Sequence, residues 1–129
     1  MKAIVVDDSG TMRRILKRML IELGFEVSEA EDGVAALEWF KLNGAIDLAL
    51  LDWNMPEMSG YDLLRMVRSK HEFDSMRIMM VTTESEMEKM SQALDAGADE
   101  YVMKPFTKDV ITDKLSLLGF EGSVHGAAP

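Results

Sequence analysis

The chain contains no cysteine, which excludes disulfides, zinc–thiolate sites and thiol catalysis. Histidine is nearly as scarce, with two in the whole chain. His71 falls in a polar loop and His125 in the terminal segment, so neither is placed to complete a catalytic triad or a metal site. No apolar stretch approaches the roughly 18 residues needed to cross a bilayer. Met1-Lys2 leads directly into a short strand-like run ending in two aspartates, a pattern unlike a signal peptide. A cytoplasmic protein with no membrane insertion is the expectation. Positive charge is also in deficit, 14 basic against 23 acidic residues for a net −9. Nonspecific nucleic-acid binding needs a basic footprint. The basic cluster Arg13, Arg14, Lys17 and Arg18 lies on the polar side of an amphipathic segment and reads as a solvated face. No internal repeat, low-complexity tract or G-x-G-x-x-G motif is present.

What remains is an ordinary globular composition, 47% hydrophobic over 129 residues, enough for one domain with a core of its own. The twelve methionines fall mostly at strand or helix-core positions (Met12, Met19, Met79, Met80, Met90), where they fill space. Strand-like and helix-like segments alternate throughout. Strands are expected at Ala3–Val6, Phe25–Ser28, Asp47–Leu51, Arg77–Val81 and Glu100–Met103. Between them, apolar residues recur at helical spacing, most regularly at Met12, Ile15, Leu16, Met19, Leu20 and Leu23. Further helices are expected from Val34 to about Lys41, Tyr61–Ser69, Glu86–Ala96 and Lys108–Leu118. Gly24 and Gly97 close helices, Gly24 in the left-handed cap position. From Gly119 the periodicity stops, which predicts a domain over 1–118 and a flexible tail over 119–129.

Five strand–helix units imply an α/β fold, a parallel sheet covered by helices on both faces. AIVV, LALL and IMMV are continuously apolar, as strands buried on both sides should be. In such doubly wound sheets ligands bind beyond the carboxyl ends of the strands. Three of these strands end in oxygen-bearing side chains. Ala3–Val6 runs into Asp7 and Asp8, LALL into Asp52, and Ile78–Val81 into Thr82, Thr83 and Glu84.

If the first, third and fourth strands are neighbours, Asp7, Asp8 and Asp52 converge. Two carboxylates about 4 Å apart repel by about 4 kcal/mol at an effective dielectric near 20, so three together call for a cation. Mg²⁺ suits one or two carboxylates with waters and a backbone carbonyl. A simpler role for Asp7 or Asp8 is to cap the first helix. Lys104, after the fifth strand and before Pro105, brings an ammonium to the same rim. Thr82 offers a hydroxyl to an added phosphoryl oxygen. A nucleophilic carboxylate, a metal clamp, a hydroxyl and a cation are the parts needed for phosphoryl transfer through an aspartyl-phosphate.

Asp7-Asp8, Asp52 in LDWNMP, Thr82 in MVTTE and Lys104 in YVMKPF occur in the order and spacing of response-regulator receiver domains, which the chain resembles over about residues 2–118. DDSGTMRRIL, LLDWNMPEMSGYDLL and AGADEYVMKPFT are especially similar to the chemotaxis-type, CheY-like single-domain members. The resemblance implies a flavodoxin-like doubly wound fold with five parallel strands in order 2-1-3-4-5 and five helices. It implies that Asp52 accepts a phosphoryl group from a histidine kinase or phosphotransfer protein. Mg²⁺ would be ligated by Asp8, Asp52 and the Asn54 carbonyl, with Asp7 acting through water. Lys104 would contact the phosphoryl oxygens, Thr82 would move toward them, and Tyr101 would rotate inward. By the same resemblance, Asn54 and Glu84 would occupy the variable positions that usually tune autodephosphorylation. Thr83 departs from the family, which usually has a smaller residue there.

No turnover of a free substrate is implied, only self-phosphorylation and autodephosphorylation at Asp52. The expected readout is a changed surface on the fourth helix, fifth strand and fifth helix of a monomer. A downstream protein would dock there, a flagellar motor switch protein being the family's leading case, with Ser85, Glu86 and Lys108 facing it. No output domain follows in this chain, so it is expected to act by docking unless it is a fragment. A mute adaptor that works without phosphorylation is the non-enzymatic alternative. A haloacid-dehalogenase-type phosphatase would need an acid at Ser9. In a flavodoxin-like electron carrier, Asp7-Asp8 would repel the flavin phosphate. Trp53, beside Asp52, is expected to report metal binding by its fluorescence.

Overall fold

The computed structural model describes residues 1–120. The elements run β1 (Lys2–Val6), α1 (Gly10–Glu22), β2 (Glu26–Ala30), α2 (Gly33–Asn43), β3 (Leu48–Leu51), α3 (Gly60–Arg68), a 3-10 turn (His71–Phe73), β4 (Arg77–Thr82), α4 (Met87–Asp95), β5 (Glu100–Met103) and α5 (Lys108–Leu117). The strands form one sheet in the order β2-β1-β3-β4-β5, and every pairing is parallel. This is the doubly wound α/β fold expected. The strand order reverses between β1 and β3, and Val6 pairs with Leu51 there.

Successive side chains of each strand point to opposite faces, so the apolar runs feed two cores. On one face Ile4, Val6, Ala49, Leu51, Ile78 and Met80 pack with Ala36, Phe40, Leu63, Leu64, Val67 and Ala93 from α2, α3 and α4. On the other, Val5, Leu48, Leu50, Met79, Val81 and Val102 meet Leu16, Leu20, Ile111 and Leu115 from α1 and α5. At about 1.5–3 kcal/mol for each fully buried large aliphatic side chain, these cores hold the strands rigid up to their carboxyl ends.

Local chemistry moves several boundaries. Asp7 and Asp8 do not cap α1; Ser9 does, its hydroxyl accepting from the Met12 N–H at 3.2 Å. Gly24 takes φ 98°, as the left-handed cap requires. The Phe25 N–H bonds back to the Leu20 carbonyl at 2.9 Å, so Phe25 belongs to the helix exit and β2 starts one residue later than expected. That strand runs on to Ala30, whose carbonyl accepts from the Asp7 N–H. Helix α2 begins at Gly33 behind an Asp32 cap, which turns Val34 outward and puts Gly33 and Ala36 on the buried side. Ile15 likewise faces solvent, because Met12, Leu16 and Leu20 already fill the space over the sheet.

The carboxyl-terminal boundary also shifts. Gly119 turns the chain at φ 95°, and the Phe120 N–H bonds to the Leu115 carbonyl at 3.0 Å. Phe120 is buried and packs edge-on against Phe25, ring centres 5.4 Å apart. Packed chain therefore reaches two residues past the expected boundary at Leu118. The rest of the expected tail, 121–129, lies outside the described residues, as does His125.

Candidate functional site

The register of the sheet assembles the site. The Asp52 N–H donates to the Val6 carbonyl at 2.9 Å, which sets Asp52 beside Asp7 one step beyond the last paired residues. The Lys104 N–H donates to the Thr82 carbonyl at 2.8 Å and brings the end of β5 to the end of β4. Asp7, Asp8, Asp52, Thr82 and Lys104 thus meet at one edge. One carboxylate oxygen from each of Asp7, Asp8 and Asp52 lies within 4.8 Å of the other two.

The three carboxylates are not equivalent. Asp8 is exposed, whereas Asp7 and Asp52 are buried. Asp7 is fully engaged: one oxygen accepts from the Ser9 N–H at 2.9 Å and the other from Lys104 Nζ at 2.7 Å. Lys104 reaches Asp52 Oδ2 at a longer 3.4 Å. Among the described residues, Asp52 Oδ1 is buried with no hydrogen-bond partner, a costly state for a carboxylate oxygen. Burial pushes the Asp52 carboxyl above the ordinary aspartate range; Lys104 and the Thr82 hydroxyl oppose the shift, and the Asp7 charge adds to it. A buried oxygen without a partner, next to two more carboxylates, fits a hard divalent cation.

Thr82 is wholly buried, and its hydroxyl accepts from the Glu84 N–H at 3.3 Å. Thr83 is exposed. The Lys104–Pro105 peptide is cis. Tyr101 is buried, with its hydroxyl donating to the Glu84 carbonyl at 2.7 Å. The ring is turned inward. Burial and the nearby carboxylates push the Tyr101 phenol up to about 12. Asn54 and Glu84, paired in the sequence argument only by role, touch through Asn54 Nδ2 and Glu84 Oε1 at 3.4 Å. Trp53 is largely buried and stacks on Tyr61 at 5.0 Å.

Three contributors escaped the sequence reading. A side chain on Gly60 would meet the Asp52 carbonyl oxygen at 1.8 Å, and the Gly60 N–H donates to the Trp53 carbonyl at 2.8 Å. The start of α3 thus presses on the backbone of Asp52, and the glycine that opens that helix was the available signal. Arg13 does not simply face solvent: it donates to the Asp7 carbonyl at 2.7 Å and to Glu29 at 3.3 Å, and Lys17 joins the same Glu29. Lys89 of α4 binds Glu84 at 2.9 Å. No sequence signal marks that pair, because Glu84 lies outside the helix. Lys108 pairs with Glu22 of α1, while Ser85 and Glu86 are exposed.

The comparisons with known proteins agree with this geometry. The response regulator receiver domain profile matches residues 3–116. The chain is 46% identical over 129 residues to a chemotaxis protein CheY homolog of Campylobacter jejuni, covering 99% of both chains. It is 48% identical over 119 residues to chemotaxis protein CheY1 of Helicobacter pylori, covering 92% of this chain and 96% of the relative. Among solved structures, the chemotaxis response regulator CheY4 of Vibrio cholerae superposes with a TM-score of 0.83 at 32% identity, covering 91% of this chain and 97% of that one. With its sheet order, its strand-end carboxylates and these relatives all in agreement, the chain belongs to the response regulator receiver domain family.

Proposed function

We propose that Asp52 accepts a phosphoryl group from a phosphohistidine of a kinase or phosphotransfer protein, in chemotaxis signalling. The observation that carries the reading is the buried Oδ1 of Asp52, which has no hydrogen-bond partner among the described residues, while Oδ2 lies 3.4 Å from Lys104 Nζ and the Asp7 and Asp8 carboxylates stand close by. An Asp52 oxygen attacks phosphorus and forms the new O–P bond as the P–N bond breaks. The imidazole leaves with the electron pair and takes up a proton from solvent. Asp8, Asp52 and the Asn54 carbonyl would hold Mg²⁺, with Asp7 acting through water. When bound, that cation supplies neutralisation of the charge gathered on the phosphoryl oxygens. Lys104 pairs with the phosphoryl group, the Thr82 hydroxyl donates to it, and Asn54 and Glu84 tune its hydrolysis.

The new dianion biases the segment between Thr82 and Tyr101 and so the face formed by α4, β5 and α5. A cytoplasmic partner, of which a flagellar motor switch protein is the leading case, reads that face. Couplings of this kind are typically about 1–3 kcal/mol. Among the described residues no helix is long and apolar enough to cross a membrane. Incubation with Mg²⁺ and acetyl phosphate, followed by intact mass measurement, tests the acceptor. One acid-stable, base-labile adduct absent from Asp52→Asn is expected; no adduct from either acetyl phosphate or a cognate kinase would refute the reading.

The rival reading is an adaptor whose binding face is set without phosphorylation. Partner affinity measured with and without beryllofluoride separates the two, since an adaptor binds equally in both states.

A further inference from the structure

At the rim beside Asp52, three side chains from separate elements converge. Asn54 comes from the loop after β3, Glu84 from the loop after β4, and Lys89 from α4. Glu84 Oε1 accepts from Lys89 Nζ at 2.9 Å and from Asn54 Nδ2 at 3.4 Å. The same ammonium stands 5.5 Å from the centre of the Trp53 ring, within cation–π range. Trp53, the neighbour of Asp52, is itself fixed by stacking on Tyr61. Lys89 is thus held by a carboxylate and by an indole, with its side chain 31% exposed and that of Glu84 22%. The pairing holds the Glu84 carboxyl below its ordinary value and the Lys89 ammonium above its own.

Charge explains why the pair matters. Asp7, Asp8, Asp52 and Glu84 bring four negative charges to this edge, against Lys104 and Lys89. Every phosphodonor is an anion, and Lys104 is committed to Asp7 and Asp52. An unpaired Glu84 would stand as a further repulsive charge beside the line of approach. Building on the reading of Asp52 as acceptor, we propose that Lys89 is a positioning residue for phosphoryl acceptance: it holds Glu84 against Asn54 and cancels its charge, admitting an anionic donor to Asp52. Lys89 touches no reacting atom and acts through Glu84.

The test is the rate at which the full chain is phosphorylated by acetyl phosphate with Mg²⁺, followed by intact mass. Lys89→Gln slows it roughly threefold to tenfold at low ionic strength, the scale of one lost charge near a dianion. Lys89→Arg restores the rate. The deficit shrinks near 1 M salt, where the screening length falls to about 3 Å. In a Glu84→Gln background, Lys89→Gln has a smaller effect, because the carboxylate it holds in place is gone. Autodephosphorylation, in which neutral water attacks, changes less than acceptance does. Thermal unfolding of each variant separates loss of fold from loss of rate. A phosphorylatable wild type with an unchanged Lys89→Gln rate overturns the role of Lys89 alone, as does an equal deficit at high salt or in the Glu84→Gln background. If the wild type itself takes no phosphoryl group, the acceptor reading falls and this proposal falls with it.

Discussion

Lys104 lies nearer to Asp7 than to Asp52, 2.7 Å against 3.4 Å. Its side chain is 12% exposed and that of Asp7 only 2%, so the closer contact is a buried ion pair. The cation expected to meet a phosphoryl group is chiefly the partner of a neighbouring carboxylate.

Removing that cation strands the carboxylates. Lys104→Met is expected to cost about 3–5 kcal/mol of stability at neutral pH, the usual effect of breaking a buried pair from one side. The same change should raise Mg²⁺ affinity, since a competing positive charge is gone. Urea unfolding with and without Mg²⁺ checks both directions; a variant as stable as the parent without Mg²⁺ contradicts the buried pairing.

Asp52 should act against the stability of the fold. Burial raises its folded-state pKa above the ordinary 3.8, so the folded chain holds this proton more tightly than the unfolded one. The associated stability is present below the unfolded value and is lost as pH rises through the folded one. Asp52→Asn should therefore be more stable than the parent at pH 7, by about 1–3 kcal/mol. The gap should close on acidification, and denaturant titrations across pH measure it.

Gly60 should tolerate no side chain. Gly60→Ala would set a methyl carbon 1.8 Å from the Asp52 carbonyl oxygen, and backbone on both sides leaves little room to yield. Overpacking typically costs about 1–3 kcal/mol. Loss of stability should come with slower phosphorylation of Asp52; a full rate in a destabilised variant would show that the acceptor does not depend on this contact.

Tyr101 should titrate late. With its phenol pushed up to about 12 from an ordinary 10.0, the neutral form favours the fold. That stability is present below pH 10 and is lost as pH rises toward 12. A phenolate absorbance titration of the parent, with Tyr101→Phe subtracted, should place the transition near the upper value. Tyr101→Phe also gives up the bond to Glu84, at a cost of about 1 kcal/mol.

Phe120 should contribute to the core although it follows the last helix. Phe120→Ala is expected to cost about 3 kcal/mol, through a cavity beside Phe25 and the lost ring contact. Thermal or urea unfolding reads this directly, and a neutral result would return the domain boundary to Leu118.

The alternation of LALL-type runs with helical stripes sufficed for the parallel sheet, because strands covered on both faces must be continuously apolar. Asp52 and Lys104 were legible as chemistry because each follows such a run at a place where charge is expensive. Ser9 as the cap and the two-residue extension of β2 were not, because neighbouring polar residues compete for the same backbone groups and only the final hydrogen bonds decide. Phe120 was hidden for a related reason. A lone aromatic among glycines carries no periodicity, and its burial follows from Phe25, 95 positions earlier in the chain.

Composition, period and spacing by themselves determined the fold class, the strand-end carboxylates and the chemistry they imply, since these depend on residue type and local order. Tertiary structure alone decided which oxygen of Asp52 lacks a partner, that Lys104 favours Asp7, that Tyr101 is buried, and that Lys89 completes the rim. Those are distances between side chains on different elements. They follow from sheet register and helix docking, and no local pattern encodes them. The strand that looked only like core in sequence is, in the fold, what holds Asp52 within reach of its neighbours.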